Sequence, residues 1–478
     1  MKSFKQSAVS GMKWTTVSQY SRQVMQFATT AVLARLLGPS DFGLIGMAMV
    51  VIGFISLFKD LGTAAAVIQK KTVSAEFLSS IFYVNASIGL IATAALYFLA
   101  HLFSYLFRQP QIEPVLRLLS ITFFISGISA VQQALLEREL HFNKLAKIEM
   151  AATLIGCAVG IGAALGGYGV WSLAFQTLAG VTVKTALLWA FSNWRPSAVF
   201  RWNEIMGVSS YSLNLAGFSI FNYFSRNADN MLIGRFLGAP ALGYYSLAYR
   251  IMLYPLDSIS SVVSRVMFPL YSQIQSDDSK FRTVYKKIAF TISLVTFPMM
   301  LGLLVTARPF VLTFFGYKWE AAIPLIVILA PIGMIQSIAT TVGSIYQAKG
   351  NTVLMFRCGI LTSAAYTASF AVGLHWGITG VAAAYAIANI LLIYPIFLIA
   401  FKLINLPVND LIKTLWNPLL CSLMMAGVVF LWRLTLPAHM PNGLILTVMV
   451  SSGVAAYLIF SLVLNRKHFV EILSAARA

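Results

Sequence analysis

Three apolar segments of the chain each carry a stripe of polar side chains. The side chains follow one another at intervals of three or four residues, so each stripe lies on one face of a helix. The stripes are Gln19, Arg22, Gln26 and Thr29; Ser219, Asn222, Arg226 and Asp229; and Arg250, Tyr254, Asp257, Ser261 and Arg265. Charges inside apolar helices are costly and usually face a cavity or each other. The stripes therefore predict a wet cavity with arginine in its wall.

The predicted cavity is cationic. Its charged candidates are the four arginines Arg22, Arg226, Arg250 and Arg265 and the two carboxylates Asp229 and Asp257. Arginine binds phosphate bidentately and keeps its proton at cellular pH, so an anionic head group such as a sugar-linked diphosphate suits this cavity. Its uncharged polar lining is predicted to be Gln19, Gln26, Asn222 and Tyr254. The two carboxylates are also the candidates for binding a coupling ion.

Simpler interpretations of the same charges stay open. Arg226 and Asp229 are three residues apart on one helix and could pair with each other. Arg250 and Asp257 could be neutralised locally in the same way, and Arg265 could extend toward a membrane surface. We expect Glu149, at the start of a predicted helix, to do no more than complement the dipole of that terminus.

Composition assigns the chain to the integral membrane proteins. It is 59% hydrophobic and only 10% charged over 478 residues, whereas about a quarter of the residues in a soluble domain are charged. The net charge of +19 does not indicate nucleic-acid binding, because the basic residues sit in short loops between apolar runs. They are typical of topology signals and of attraction to anionic membrane lipid. No nucleophile–base pair, metal-ligand cluster, P-loop or dinucleotide motif occurs, so we expect no catalytic residue, metal or cofactor.

The apolar runs predict an all-α polytopic membrane protein with about fourteen transmembrane helices. The predicted spans are 14–37, 42–63, 78–104, 114–137, 147–166, 170–191, 207–236, 241–271, 286–308, 320–348, 354–375, 379–402, 413–433 and 443–464. Of the 34 Lys and Arg residues, 22 lie at the termini or in the loops on their side, and 7 lie on the opposite side. Such a bias predicts that both termini are cytoplasmic.

An internal repeat divides the predicted helices into two sets. LARLLGPSDFG at 33–43 is echoed by IGRFLGAPALG at 233–243, at an offset of 200. Tandem membrane halves are typical of transporters that rock one half against the other around a central site. The repeat predicts an N-lobe at 1–191, a polar hinge at 192–206 and a C-lobe at 207–402, followed by two further helices and a tail at 403–478.

Several motifs resemble the Wzx-type polysaccharide flippases of the multidrug/oligosaccharidyl-lipid/polysaccharide (MOP) exporter superfamily. They are LARLLGPSDFGL (33–44), QQALLERELHFNKLAKIE (132–149), GGYGVWSLA (166–174), NADNMLIGRFLGAPALGYYSLAYR (227–250) and FGYKWEAAIP (315–324). The resemblance implies two six-helix lobes plus two terminal helices in a bacterial plasma membrane. It implies transfer of undecaprenyl-diphosphate-linked oligosaccharide from the cytoplasmic to the outer leaflet, possible partnership with a polysaccharide polymerase and chain-length regulator, and contact of Arg22 with substrate phosphate.

Other functions are less compatible with these residues. A multidrug exporter of the same superfamily would favour an acidic cavity and twelve helices. A polymerase or ligase of O-antigen would carry a long external loop with catalytic residues, and no such loop is predicted. A purely structural subunit would leave the polar stripes unexplained. The sequence therefore favours a transporter that works by alternating access.

Overall fold

A computed structural model describes residues 4–58, 63–70, 72–202, 212–437 and 439–465. Side chains are not described at 4–17, 212–220, 257–266 and 268–269. All regular secondary structure in the described ranges is helical. The chain divides into two compact units, Met1–Gly243 and Tyr244–Ala478.

The first unit is built from nine helices and the first turn of a tenth. They are α1 (Phe4–Leu36), α2 (Pro39–Ser56), α3 (Thr63–Gln69), α4 (Ala75–Phe107), α5 (Ile112–Gly127), α6 (Ala130–Arg138), α7 (Phe142–Leu165), α8 (Val170–Phe191), α9 (Ser212–Phe236) and the start of α10 (Gly238–Gln273). Helix α1 packs on α7, α4 packs on α5, and α7 packs on α8. Helix α9 packs on α2.

The second unit contains the rest of α10 and seven further helices. These are α11 (Asp278–Phe314), α12 (Ile323–Ala339), α13 (Val342–Ala348), α14 (Thr352–Gly373), α15 (Gly377–Lys402), α16 (Val408–Thr435) and α17 (Asn442–Leu464). Short 3-10 turns at Tyr317–Ala322 and Leu374–Trp376 join α11 to α12 and α14 to α15. Helix α11 packs on both α12 and α16, so it lies at the centre of this unit.

The helices confirm an all-α polytopic membrane fold. In the described part of the chain, nine helical segments are long and apolar enough to cross a membrane, or ten if a bent pair forms one span. One of the nine, Thr352–Lys402, contains both α14 and α15, which pack against each other. The total of fourteen spans stays a prediction, as does the division into lobes at 192–206.

The fourth predicted helix, 114–137, is broken in the structure. Helices α5 and α6 meet at an angle of 44°. Ser126 and Ser129 lie at the break, and both hydroxyls donate to backbone carbonyls of their own helix turn. Such bonds compete with the backbone ladder and bend helices. Gly127 lies against the Asn85 carbonyl of α4, so the bend also allows a close helix contact.

The repeated motif forms a reciprocal contact within the first unit. A Cβ on Gly43 would overlap the Ala239 carbonyl oxygen, and a Cβ on Gly243 would overlap the Pro39 carbonyl oxygen. Adding 200 to position 43 gives 243, and subtracting 200 from position 239 gives 39, so the two contacts are equivalent. This is the pattern of a two-fold relation between the starts of α2 and α10. Only glycine allows the two backbones to approach so closely.

The segment after α8 is bound to the first unit. Ser197 donates its backbone N–H to the Ser79 hydroxyl at 3.0 Å, and Arg201 donates its N–H to the Ser80 hydroxyl at 2.9 Å. Arg201 also pairs with Glu76 at 2.9 Å. Residues 197–201 thus run along the first turns of α4. The first half of the predicted hinge is therefore held in place.

Candidate functional site

Arg22 on α1 and Glu149 on α7 form an ion pair inside the first unit. Arg22 Nη1 lies 2.9 Å from Glu149 Oε2, and about a third or less of each side chain is exposed. The two helices pack along much of their length, which positions the pair. The expected role of Glu149 as a helix-terminus charge is wrong, because α7 begins at Phe142 and places Glu149 two turns inside the helix.

The ion pair lies well inside both helices, far from their ends at Leu36 and Leu165. At 1.5 Å per residue, Arg22 is about 21 Å from the end of α1 at Leu36, and Glu149 is about 24 Å from the end of α7 at Leu165. The hydrocarbon core is ~30 Å thick. Measured from these helix ends, Arg22 would lie about seven tenths and Glu149 about four fifths of the way across such a core. A charge at that depth needs a partner or water.

Among the described residues, two hydrogen-bond donors at this pair have no hydrogen-bond partner. The Nε atom of Arg22 and the hydroxyl of Ser18 are buried without a hydrogen bond. Ser18 is 2% exposed and precedes Arg22 by one turn on the same face of α1. Buried donors without partners are rare and costly. Together with the guanidinium they form a small group of donors at which an anion could be bound.

The other polar residues of the first stripe are less enclosed. Gln19 is partly exposed and Gln26 is exposed on α1. Thr29 is buried at 6% exposure. Gln19 and Gln26 flank Arg22 on its helix face, as the spacing predicts. Their contact with a ligand stays a prediction.

The second stripe lies on α9. Arg226 and Asn222 are exposed, whereas Asp229 is 3% exposed and accepts the Asn230 N–H at 2.7 Å. The local pairing of Arg226 with Asp229 stays an alternative prediction. An exposed arginine on an apolar helix is best accommodated by a water-filled space.

The third stripe lies on α10 in the second unit. Arg250 is exposed and Tyr254 is partly exposed. The side chains of Asp257 and Arg265 lie outside the described residues, so local neutralisation of Arg250 and the coupling role of Asp257 stay predictions. The meeting of the three stripes around one cavity is also still a prediction. Within the described residues, no group of three or more metal-ligating side chains occurs.

A buried polar network in the second unit was missed by the sequence analysis. Tyr366 donates to Asn389 Oδ1 at 3.2 Å, and Asn389 donates to the Tyr385 carbonyl at 2.9 Å. Gln336 of α12 donates to the Tyr385 hydroxyl. These hydrogen bonds join α12, α14 and α15. Only Tyr385 and Asn389 share a helical interval in the sequence, so a pattern search had little to detect.

Comparison with known families gives one match over more than half of the chain. Residues 32–324 match a family model described as "Polysaccharide biosynthesis protein". Two curated relatives each match most of the chain. The teichuronic acid biosynthesis protein TuaB of Bacillus subtilis is 29% identical over 96% of both chains. The lipopolysaccharide biosynthesis protein WzxC of Escherichia coli is 27% identical over 88% of this chain and 86% of its own length.

Solved structures show the same fold. The lipid II flippase MurJ in an inward closed conformation aligns with a TM-score of 0.77 at 17% identity, covering 95% of this chain and 99% of its own. An inward-facing multidrug resistance transporter of the MATE family aligns with a TM-score of 0.63 at 18% identity, covering 82% and 96%. The fold of this chain is therefore the one shared by these two transporters.

Proposed function

Since the chain belongs to the family of polysaccharide biosynthesis proteins, we propose that it moves undecaprenyl-diphosphate-linked oligosaccharide from the cytoplasmic to the outer leaflet of a bacterial plasma membrane. Its relatives include a succinoglycan biosynthesis transport protein and a probable glycan biosynthesis flippase. The protein would transport a finished lipid-linked unit and make or break no covalent bond.

The observation that carries this proposal is the guanidinium of Arg22, well inside α1. Among the described residues, one of its N–H donors has no partner, and a buried serine hydroxyl lies one turn away. Such donors suit a phosphate better than an organic cation. This supports a lipid-diphosphate substrate over the multidrug alternative, although the MATE fold is closely related.

The proposal includes a mechanism by alternating access. The diphosphate enters from the cytoplasmic side and reaches the Arg22 guanidinium from there. The exposed Arg226 is a second contact for the anionic head group. The prenyl chain remains in lipid while the head group crosses. The exported unit would pass to a polymerase and a chain-length regulator.

The experiment is a leaflet assay in the parent bacterium. The gene is deleted and replaced at matched expression by wild type, Arg22→Ala, Arg226→Ala or the control Arg117→Ala. Arg117 pairs with Glu113 of its own helix, near the start of α5, at 2.6 Å. We expect lipid-linked oligosaccharide to accumulate in the cytoplasmic leaflet of the deletion strain.

Wild type and Arg117→Ala should restore export, and the two other variants should not. Equal rescue by all four proteins would keep the transport function and remove the arginine site. Accumulation of unpolymerised units on the outer leaflet would instead place the protein after the transfer step and favour the polymerase.

A further inference from the structure

The ion pair between Arg22 and Glu149 has a consequence for the empty transporter. A lone guanidinium at this depth would be costly, and Glu149 removes that cost. The same carboxylate would repel a phosphate that approaches Arg22, because like charges at contact distance in a low dielectric are unfavourable. The intact ion pair therefore weakens the binding of a diphosphate at Arg22.

We propose that Glu149 is the resident counter-anion of the phosphate site, displaced when the diphosphate binds and restored when it leaves. This inference rests on the proposed function and adds the residues Glu149 and Ser18 to it. The incoming phosphate takes the Arg22 guanidinium, including the unpartnered Nε–H, and the hydroxyl hydrogen of Ser18. Glu149 withdraws from Nη1 and is hydrated in the open cavity.

The donors around Arg22 leave room for an acceptor besides Glu149. A permanent pair would be expected to use the donors of Arg22 that face the protein, yet Nε is buried without a partner. The Ser18 hydroxyl is also unpartnered, although serine in a helix commonly donates to the carbonyl four residues earlier. Both groups lie on the face of α1 that holds Glu149. The site is thus built for more acceptors than Glu149 supplies.

The pair also gives Glu149 a role in the return step. After release of the substrate, the empty protein must change conformation again. Recapture of Arg22 by Glu149 lets it do so without an unpaired charge at membrane depth. Removal of the carboxylate should then strengthen binding and slow turnover. A residue that only stabilises the fold would not produce this opposed pair of effects.

The test compares Glu149→Gln and Ser18→Ala with wild type in full-length protein reconstituted in nanodiscs. The probe is undecaprenyl diphosphate, titrated to obtain Kd, and turnover is the rate of polysaccharide export in the deletion strain. The matched control is Glu113→Gln, which also removes one carboxylate paired with an arginine, near the start of α5. We expect Glu149→Gln to bind about two- to fivefold tighter, as for the loss of one competing ion pair.

Export by Glu149→Gln should fall while its affinity rises, and Ser18→Ala should bind more weakly by a factor of about five. Glu113→Gln should match wild type in both measurements. Unchanged or weaker binding by Glu149→Gln overturns the inference. If Glu149→Gln does not fold, Glu149→Asp takes its place: its shorter carboxylate should give intermediate tightening, and wild-type affinity would reject the idea.

The same measurements separate this inference from the proposed function. If wild type binds the probe and restores export, and Glu149→Gln gives the same values, the counter-anion role of Glu149 is rejected and the transport function is kept. Wild type that neither binds undecaprenyl diphosphate nor restores export rejects the transport function, and the counter-anion with it.

Discussion

Arg22 and Arg226 illustrate two ways in which a membrane protein accommodates arginine. Arg22 is matched by a carboxylate from a neighbouring helix at 2.9 Å. Arg226 is exposed on α9. Arg22 is neutralised by its ion pair, whereas Arg226 requires water around its side chain. These different environments predict different responses to a change of cation.

Arg226→Lys should retain part of the export activity, whereas Arg226→Ala should lose most of it. Lysine keeps the positive charge in a watery space but cannot form the bidentate contact of the guanidinium with phosphate. We expect about a tenfold loss for alanine, which corresponds to about 1.4 kcal/mol of binding. The rate of export in the deletion strain measures both. Equal activity of the two variants would show that Arg226 does not contact the substrate.

At the scale of the helices, close backbone contacts and serine hydrogen bonds hold the elements together. The starts of α2 and α10 touch through Gly43 and Gly243. The segment after α8 is bound to α4 through Ser79 and Ser80, which are both fully buried. Neither contact involves a large apolar side chain. Both depend on atoms that a single substitution adds or removes.

Gly43→Ala should disrupt the contact between α2 and α10. The added methyl would overlap a backbone carbonyl, which cannot rotate away as a flexible side chain can. We expect a loss of about 1–3 kcal/mol in stability, typical of overpacking, and reduced export. The control is Gly162→Ala on α7, where a Cβ meets nothing within 4 Å. Thermal unfolding in detergent measures both, and equal melting temperatures would contradict the prediction.

The double variant Ser79→Ala/Ser80→Ala should release the segment at 197–201. Each hydroxyl accepts a backbone N–H from that segment, and loss of one such bond costs about 1 kcal/mol. Trypsin should then cleave faster after Arg195 or Arg201. The control Ser451→Ala removes a hydroxyl that bonds only within its own exposed helix turn. Unchanged cleavage would mean that other contacts, such as Arg201 with Glu76, are sufficient.

At the scale of the whole molecule, the predicted topology puts successive turns on opposite sides of the membrane. The turn between α4 and α5 contains Gln111, and the turn between α6 and α7 contains Glu139. Both residues are exposed. A helix pair connects them, so they lie at opposite ends of the bent unit α5–α6. The charge bias assigns the Glu139 side to the cytoplasm.

Cysteine labelling checks that assignment. In a Cys358→Ser background, Gln111→Cys should react with a membrane-impermeant maleimide in intact cells, and Glu139→Cys should react only after permeabilisation. Cys358 is removed because it is partly exposed, whereas Cys157 and Cys421 are buried and serve as internal controls. The opposite labelling pattern would invert the topology and place Arg22 near the outer leaflet.

Sequence by itself determined the membrane class, the helical fold and the positions of most helices. Hydrophobic length and period are local properties, so they can be recognised without knowledge of neighbours. The family resemblance also followed from local motifs and agrees with the match at 32–324. The arginines of α1 and α9 were identified for the same reason, since a charge in an apolar run is visible in the sequence alone.

Tertiary structure alone decided which groups meet. Arg22 and Glu149 are 127 positions apart in the sequence, and no local pattern joins them. The packing of α1 on α7 brings them within 2.9 Å. The bend between α5 and α6, the unpartnered Ser18 hydroxyl and the network around Tyr385 depend on packing in the same way. Long-range contacts arise from helix packing, which the period of a single helix does not specify.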